Sequence, residues 1–251
     1  MQILLANAKI MFEKSNVKPQ TEPKFQKAAN ILAADMAQLT VEELSKELDC
    51  NHKLAAQNWH RYQNFFNARK MPALFAYNGQ AYKHLRASSL NNEALSFGQN
   101  HLWITCFLYG LLRPMDGIVT YRMEHCVKLP STNYAPINQF WKDKLTNILI
   151  DSVNADDGIL IHLSTEEYEH LFDWKRVRKE ITVIQPLFYI CKNSDLKMQA
   201  VWAKTCRGAM VRFILQNQLT NPEELNAFSY EGFEYAPRLG EKAYPHFVKE
   251  I

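Results

Sequence analysis

The chain has 251 residues, 47% of them hydrophobic and 22% charged, a composition that fits a globular protein and excludes a disordered one. Its formal charge of +3 permits an acidic partner without the strong bias of a dedicated nucleic-acid binder, so local clustering must carry any such argument. No run approaches the ~20 apolar residues that cross a bilayer, no basic leader precedes the short apolar opening, and five widely spaced cysteines show no CxxC pair; together these point to a reduced cytoplasmic protein with no disulfide framework, metal site or cofactor.

Residues 2–6 are continuously apolar after Gln2 and read as a first, central strand. The spacing of Phe25, Ala28, Ala29, Leu32, Met36 and Leu39 predicts an amphipathic helix. Thr40 with Glu43 forms a capping box for a helix over 41–48, and Leu54, Ala55, Trp59, Tyr62 and Phe66 make the apolar stripe of another over 51–66. The two read as a helix-hairpin-helix-like segment over 41–66. Residues 74–77 are expected as a short strand ending at the Asn78-Gly79 turn, and 102–107 as another strand. Pro136 starts a helix running to about 150, and 159–163 is a strand followed by a short helix capped by Ser164 with Glu167. Residues 181–190 and 196–203 read as an antiparallel hairpin around Asn193-Ser194, with Pro186 marking an edge or bulge. A helix over 207–219, a short helix opened by Asn221-Pro222 and a strand over 228–235 complete a mixed α/β fold, one sheet covered by helices, taken as a single domain over 1–251.

Four segments carry candidate chemistry. Lys9 follows the first strand, where ligands of α/β sheets bind, and reads either as an anion contact or as a solvated charge. Arg113 and Arg122 flank Asp116 and Glu124 around Pro114 and Gly117, so they form either an anion clamp beside a proton-transfer acid or a buried ion-pair network. His162, Ser164, Glu167 and Tyr168 cluster at a strand end, with His162 read by default as a lone core or surface histidine. Lys204, Arg207 and Arg212 are possible phosphate contacts, with Arg207-Gly208 expected at the start of a helix and Gly208 allowing close backbone approach. No GxGxxG or GxxxxGK[ST] supports a dinucleotide or P-loop site. Arg69-Lys70, Lys83, Arg86 and the run Lys175, Arg176, Arg178, Lys179 are candidate phosphate-backbone contacts or simply solvated faces.

With these residues in view, the sequence resembles the YaaA-type peroxide stress family along almost its whole length. The resemblance is carried by AKI after the first strand, LAAQNWHRY, ALFAYNGQAY, LYGLLRPMDGIVTYRMEHCVKL, KTCRGAMVRFILQNQL and NPEELNAFSYEGFEY. It implies a role in limiting peroxide and iron damage, and DNA binding through a helix-hairpin-helix beside a basic cleft. The cleft then maps onto Lys9, Arg113, Arg122, Glu124, Glu167, Tyr168, Lys204, Arg207 and Gly208, and the DNA contacts onto Lys53, Arg61, Arg69 and Lys70. The chain departs from the family pattern at Ala6, Asn7, Ile10, Ala56, Gln80, Cys106, Phe107 and His162.

Two functions compete on this reading, and the resemblance places the first ahead of the second. One is association with double-stranded DNA through its backbone. The other is a cleft for a small phosphorylated or carboxylated ligand, a nucleotide-like compound among them, clamped by Arg113, Arg122 and Arg207 with Glu124 or Glu167 as acid/base. A degenerate or scaffolding role is the remaining alternative. Direct iron sequestration is disfavoured, because no HxxxH, ExxH or cysteine pair supplies a compact ligand set.

Overall fold

A computed structural model describes residues 1–193 and 195–251. The strands are β1 (Gln2–Ala6), β2 (Met71–Pro72), β3 (Leu102–Cys106), β4 (Gly110–Leu112), β5 (Gly117–Ile118), β6 (Ile159–Leu163), β7 (Thr182–Ile184), β8 (Leu187–Lys192), β9 (Asp195–Lys197), β10 (Ser229–Tyr230), β11 (Phe233–Glu241) and β12 (Tyr244–Glu250). The helices are α1 (Gln26–Gln38), α2 (Val41–Glu47), α3 (His52–Gln63), α4 (Ala73–Ala76), α5 (Gln80–Leu85), α6 (Asn92–His101), α7 (Ile137–Asn154), α8 (Glu166–Glu169), α9 (Trp174–Glu180) and α10 (Ala200–Asn217). The mixed α/β class holds, but the sheet expected to be single is divided into two five-stranded sheets and a two-stranded ribbon.

The first sheet runs β4-β3-β1-β6-β7. β1 lies parallel between β3 and β6, which explains its unbroken apolar run: Ile3, Leu4 and Leu5 are buried on both faces. β3 and β6 lie on opposite sides of β1, so the chain changes direction across it, and the carboxyl ends of β1 and β6 flank a topological switch point. The second sheet runs β10-β11-β12-β8-β9, with β12 parallel to β8 and the other pairs antiparallel.

Pro186 explains the division. The strand expected over 181–190 is broken there into β7 of one sheet and β8 of the other, because proline has no N–H to continue a ladder. The hairpin expected beyond it forms only between β8 and β9. Of its expected turn, Asn193 takes a left-handed φ of 52°, and Ser194 lies outside the described residues. Residues 200–203, expected to be extended, are the first turn of α10. The segment expected as a strand over 74–77 is instead the short helix α4, since a four-residue apolar run carries no period of its own. The Thr40–Glu43 capping box forms as expected, whereas the one expected of Ser164 and Glu167 does not: Thr165 occupies the N-cap without a side-chain bond, and Ser164 is buried 3.4 Å from Thr105 Oγ1.

Placing α10 seven residues earlier than expected moves Arg207 and Gly208 from a helix start to mid-helix. Gly208 does serve a close approach, but between helices: a Cβ there would lie 1.8 Å from the Ala81 carbonyl oxygen of α5 and 2.5 Å from its carbon. Backbone cannot yield as a side-chain tip can.

Arg113 belongs to the opposite end of the first sheet from the switch point. Its guanidinium donates to Gln2 Oε1 (3.2 Å), the Leu102 carbonyl (3.1 Å) and Ser152 Oγ (3.4 Å), and lies 3.4 Å from the centre of the Trp103 ring. Burial pulls its pKa down to about 10, which leaves it charged at neutral pH. It ties the start of β1 to the start of β3 and to α7, and the anion clamp expected of it is replaced by a structural lock.

Two stability changes follow from these contacts. Gly208→Ala is expected to destabilise by about 1–3 kcal/mol or more through overpacking, although alanine is the better helix former by about 1 kcal/mol. Arg113→Ala is expected to destabilise by roughly 1.5–3 kcal/mol by stripping buried acceptors of a charged donor, with Arg113→Lys recovering only part of it. Urea denaturation midpoints of the folded variants measure both.

Candidate functional site

At the carboxyl ends of β1 and β6 the chain encloses a cavity of about 500 Å³. Leu5 to Ile10 form one side, Leu163 and Thr165 to Tyr168 a second, Gly79 to Tyr82 a third, and Lys204 with Arg207 a fourth. The volume lies within the range of about 300–1,000 Å³ usual for small-molecule sites, and the position is where open α/β sheets bind ligands.

Local pairing fixes these walls. After β1 the chain forms a strap: the Phe12 N–H donates to the Ala76 carbonyl at 2.8 Å and the Asn78 N–H to the Ile10 carbonyl at 2.8 Å. Ala8 is pressed against Gly79, where an added Cβ would approach its own Cβ to 2.6 Å. Tyr82 donates its hydroxyl to the Ala6 carbonyl at 3.0 Å, joining α5 to the end of β1. Tyr168 stacks on Phe107 with ring centroids 4.7 Å apart and donates to Asn7 Oδ1. Asn7 Nδ2 donates to the Tyr121 hydroxyl at 3.2 Å, and that oxygen lies 2.8 Å from the Tyr77 hydroxyl. Burial holds the Tyr77, Tyr121 and Tyr168 phenols well above their ordinary range, so they remain neutral links in the chain of bonds.

The cations divide into paired and unpaired. Lys9 Nζ lies 2.7 Å from Glu124 Oε2, and Arg122 Nη2 lies 2.8 Å from Glu124 Oε1 as a charge contact rather than an aligned hydrogen bond. Glu124 is 5% exposed, and the backbone carbonyl of Arg122 accepts from the Tyr62 hydroxyl at 2.6 Å. Of this group only Lys9 lines the cavity; Glu124 and Arg122 stand behind it as the buried ion-pair network. Lys204 and Arg207, three residues apart on α10, both line the cavity. Among the described residues neither makes a hydrogen bond or ion pair, and burial alone, with no neighbouring carboxylate opposing it, pulls the half-buried Arg207 below its ordinary pKa.

Glu167 lines the cavity with its Oε1 3.5 Å from His125 Nδ1, and Glu166 is exposed on the same side. His162 points the other way. Fully buried on β6, it meets the Trp174 ring edge-on at 4.8 Å and brings Nε2 to 3.1 Å from Glu169, the core position. Gln80 donates to Thr205 Oγ1 at 2.8 Å. Thr165, Glu166 and Tyr82 are not among the candidate site residues read from the sequence, and Gln80 enters there only as a departure from the family pattern. Thr165 and Glu166 carried a usable signal, being the first residues beyond the strand that ends at Leu163.

The residues expected at a DNA interface lie elsewhere. Lys53 and Arg69 are exposed, Arg61 reaches Glu13 and Asn58, and Lys70 reaches Glu22 at 3.4 Å. None lines the cavity. α2 and α3 do form a helical hairpin, whose turn carries Asp49 at φ 42°. Glu42, Glu43 and Asp49 are exposed around it against Lys46 and Lys53, and Asn51 already accepts from the Leu54 N–H at 2.9 Å. Among the described residues no helix is long and apolar enough to cross a membrane.

Known proteins are similar to this chain along nearly its whole length. The family model described as "Peroxide stress protein YaaA" matches residues 1–239. A UPF0246 protein of Bacteroides thetaiotaomicron is 42% identical over 246 residues, covering 96% of each chain, and one of Phocaeicola vulgatus is 42% identical over 239 residues, covering 94% of each. More distantly, a UPF0246 protein of Hahella chejuensis is 35% identical over 237 residues, covering 92% of this chain and 91% of its own. The chain is a member of the peroxide stress protein YaaA family.

Proposed function

We propose that this protein performs the peroxide-stress role for which its family is named by holding a small phosphorylated or carboxylated ligand in the cavity beyond β1 and β6. The observation that carries this reading is Arg207, a half-buried cation with no ion pair or hydrogen bond among the described residues, on the wall of that cavity. A desolvated cation is unfavourable unless an anion meets it, and a bound carboxylate or phosphate supplies both charge and bidentate acceptors. Lys204 adds a second unpaired cation one helical turn away, and Lys9 stands at the other wall with its charge shared with Glu124. Of the two acids offered by the sequence, Glu167 reaches the cavity, while Glu124 is occupied in holding Lys9 and Arg122.

Duplex DNA is the competing partner, and the acid-rich hairpin turn favours it less. Thermal unfolding with millimolar phosphate, pyrophosphate or citrate tests the reading. At 100 times its Kd an anion adds about 2.7 kcal/mol of stability, several degrees in Tm. The Arg207→Gln variant, relieved of an unpaired cation, is expected to unfold at the same temperature as the parent or higher without ligand, and to lose that rise. An unchanged rise in the variant, or no rise with any of the three, overturns the proposal. Salt-sensitive binding to a random duplex that fell in Arg207→Gln would assign the same wall to a DNA backbone instead.

A further inference from the structure

Resting on the anion-site reading, the geometry points to a ligand class: we infer that the cavity accepts a nucleoside monophosphate. Three features of its wall must be met together. The first is the unpaired pair Lys204 and Arg207 on one face of α10, which calls for a compact dianion. The second is an apolar stretch made by Ala6, Ala8 and Ile10 on one side and Ala81 on another, which calls for a body without strong hydration. The third is the Thr165–Glu166 end. Neither side chain there has a hydrogen bond or ion pair among the described residues, so a carboxylate and a hydroxyl are left to receive donors. No ion pair joins Glu166 or Glu167 to Lys204 or Arg207 among the described residues, so the acidic and basic ends have not neutralised each other.

Simpler anions satisfy only part of this set. Inorganic phosphate leaves the apolar wall bare and is repelled by Glu166. A sugar phosphate supplies hydroxyls but sets a strongly hydrated ring against the alanines and isoleucine. A fatty carboxylate covers the apolar wall and offers Glu166 no donor. A nucleoside monophosphate meets all three, with its phosphate at Arg207, the flat base along the apolar wall, and sugar hydroxyls or a base amine at Glu166. A cavity of about 500 Å³ has room for it, and the switch point of an open α/β sheet suits a mononucleotide.

Isothermal titration of the whole protein with AMP, CMP, ribose 5-phosphate, adenosine and inorganic phosphate tests the assignment. At least one monophosphate is expected to bind about tenfold more tightly than ribose 5-phosphate and adenosine, and Arg207→Gln to remove that advantage. Glu166→Gln gives a sign that a purely structural role would not: nucleotide affinity falls several-fold while inorganic phosphate binds more tightly. Phosphate or ribose 5-phosphate bound through Arg207 with no preference for the nucleotide overturns the nucleoside assignment and leaves the anion site standing. No binding of any anion overturns both. A 5′-phosphorylated single strand compared with the same strand lacking its phosphate distinguishes a strand end from a free nucleotide as the source of this chemistry.

Discussion

The meeting of α10 with α5 at Gly208 and Ala81 sets the position of everything around the cavity. The backbones approach so closely that a single added carbon would overlap the Ala81 carbonyl. Contact at that distance leaves no freedom of rotation or slide, because interiors are packed to crystal density and strain cannot be spread over soft side chains. Arg207 precedes Gly208 and Lys204 lies one turn earlier, while Gln80 and Tyr82 flank Ala81. The same contact therefore aims two cations and one polar wall at a common space. The second close approach, Ala8 against Gly79, docks the other end of that wall onto the loop leaving β1. Two glycines thus position a site in which neither glycine contributes a functional group.

Charge in this protein is divided by burial rather than by count. Glu124 draws in Lys9 and Arg122, and a buried carboxylate needs such partners, since one left uncompensated would be strongly destabilising. That requirement places Arg122 behind the cavity wall and leaves Lys9 shared. Arg113 is likewise committed, its fork filled by Gln2, Leu102 and Ser152. Of the three arginines that the sequence offered as a clamp, only Arg207 has no protein partner among the described residues. Three of the residues at which the chain departs from its family's pattern are also committed. Asn7 links Tyr168 to Tyr121, Gln80 holds Thr205, and His162 packs into the core, while Ile10 stays exposed at the cavity's edge.

How much of this could be read in advance depended on whether the signal was local. β1, the Thr40 capping box, α1, α3 and α7 were legible because burial periodicity and caps are properties of short windows. The split at Pro186 was half legible: proline excludes a central strand, but nothing local says that the chain passes to a second sheet. α4 and the first turn of α10 were misread because apolar runs without a clear period fit strand and helix equally. The cavity's location followed from β1 being central, and Lys9, Glu167, Tyr168, Lys204 and Arg207 do line it. Arg113 failed because sequence distance from a turn says nothing about which end of a sheet a long side chain reaches, and Trp103 and Gln2 captured it from elsewhere in the chain.

The helical hairpin shows why matching a segment differs from matching its chemistry. A hairpin grips a phosphate backbone with free N–H groups at a tight turn and with cations beside it. Here the N-terminus of α3 has Asn51 occupying one of those donors, and the turn passes through Asp49, with Glu42 and Glu43 exposed nearby. Each acid within a Debye length of a phosphate opposes the attraction that Lys46 and Lys53 supply. The other side of the hairpin serves the fold: Tyr62 is buried and bonds the Arg122 carbonyl, and Glu47 Oε2 accepts from the Lys128 N–H at 2.9 Å. α2 and α3 thereby brace the 122–128 segment that carries Glu124, and through Glu124 they hold Lys9 at the cavity wall. In this chain the hairpin's physical connection runs inward, to the cavity at the end of β1.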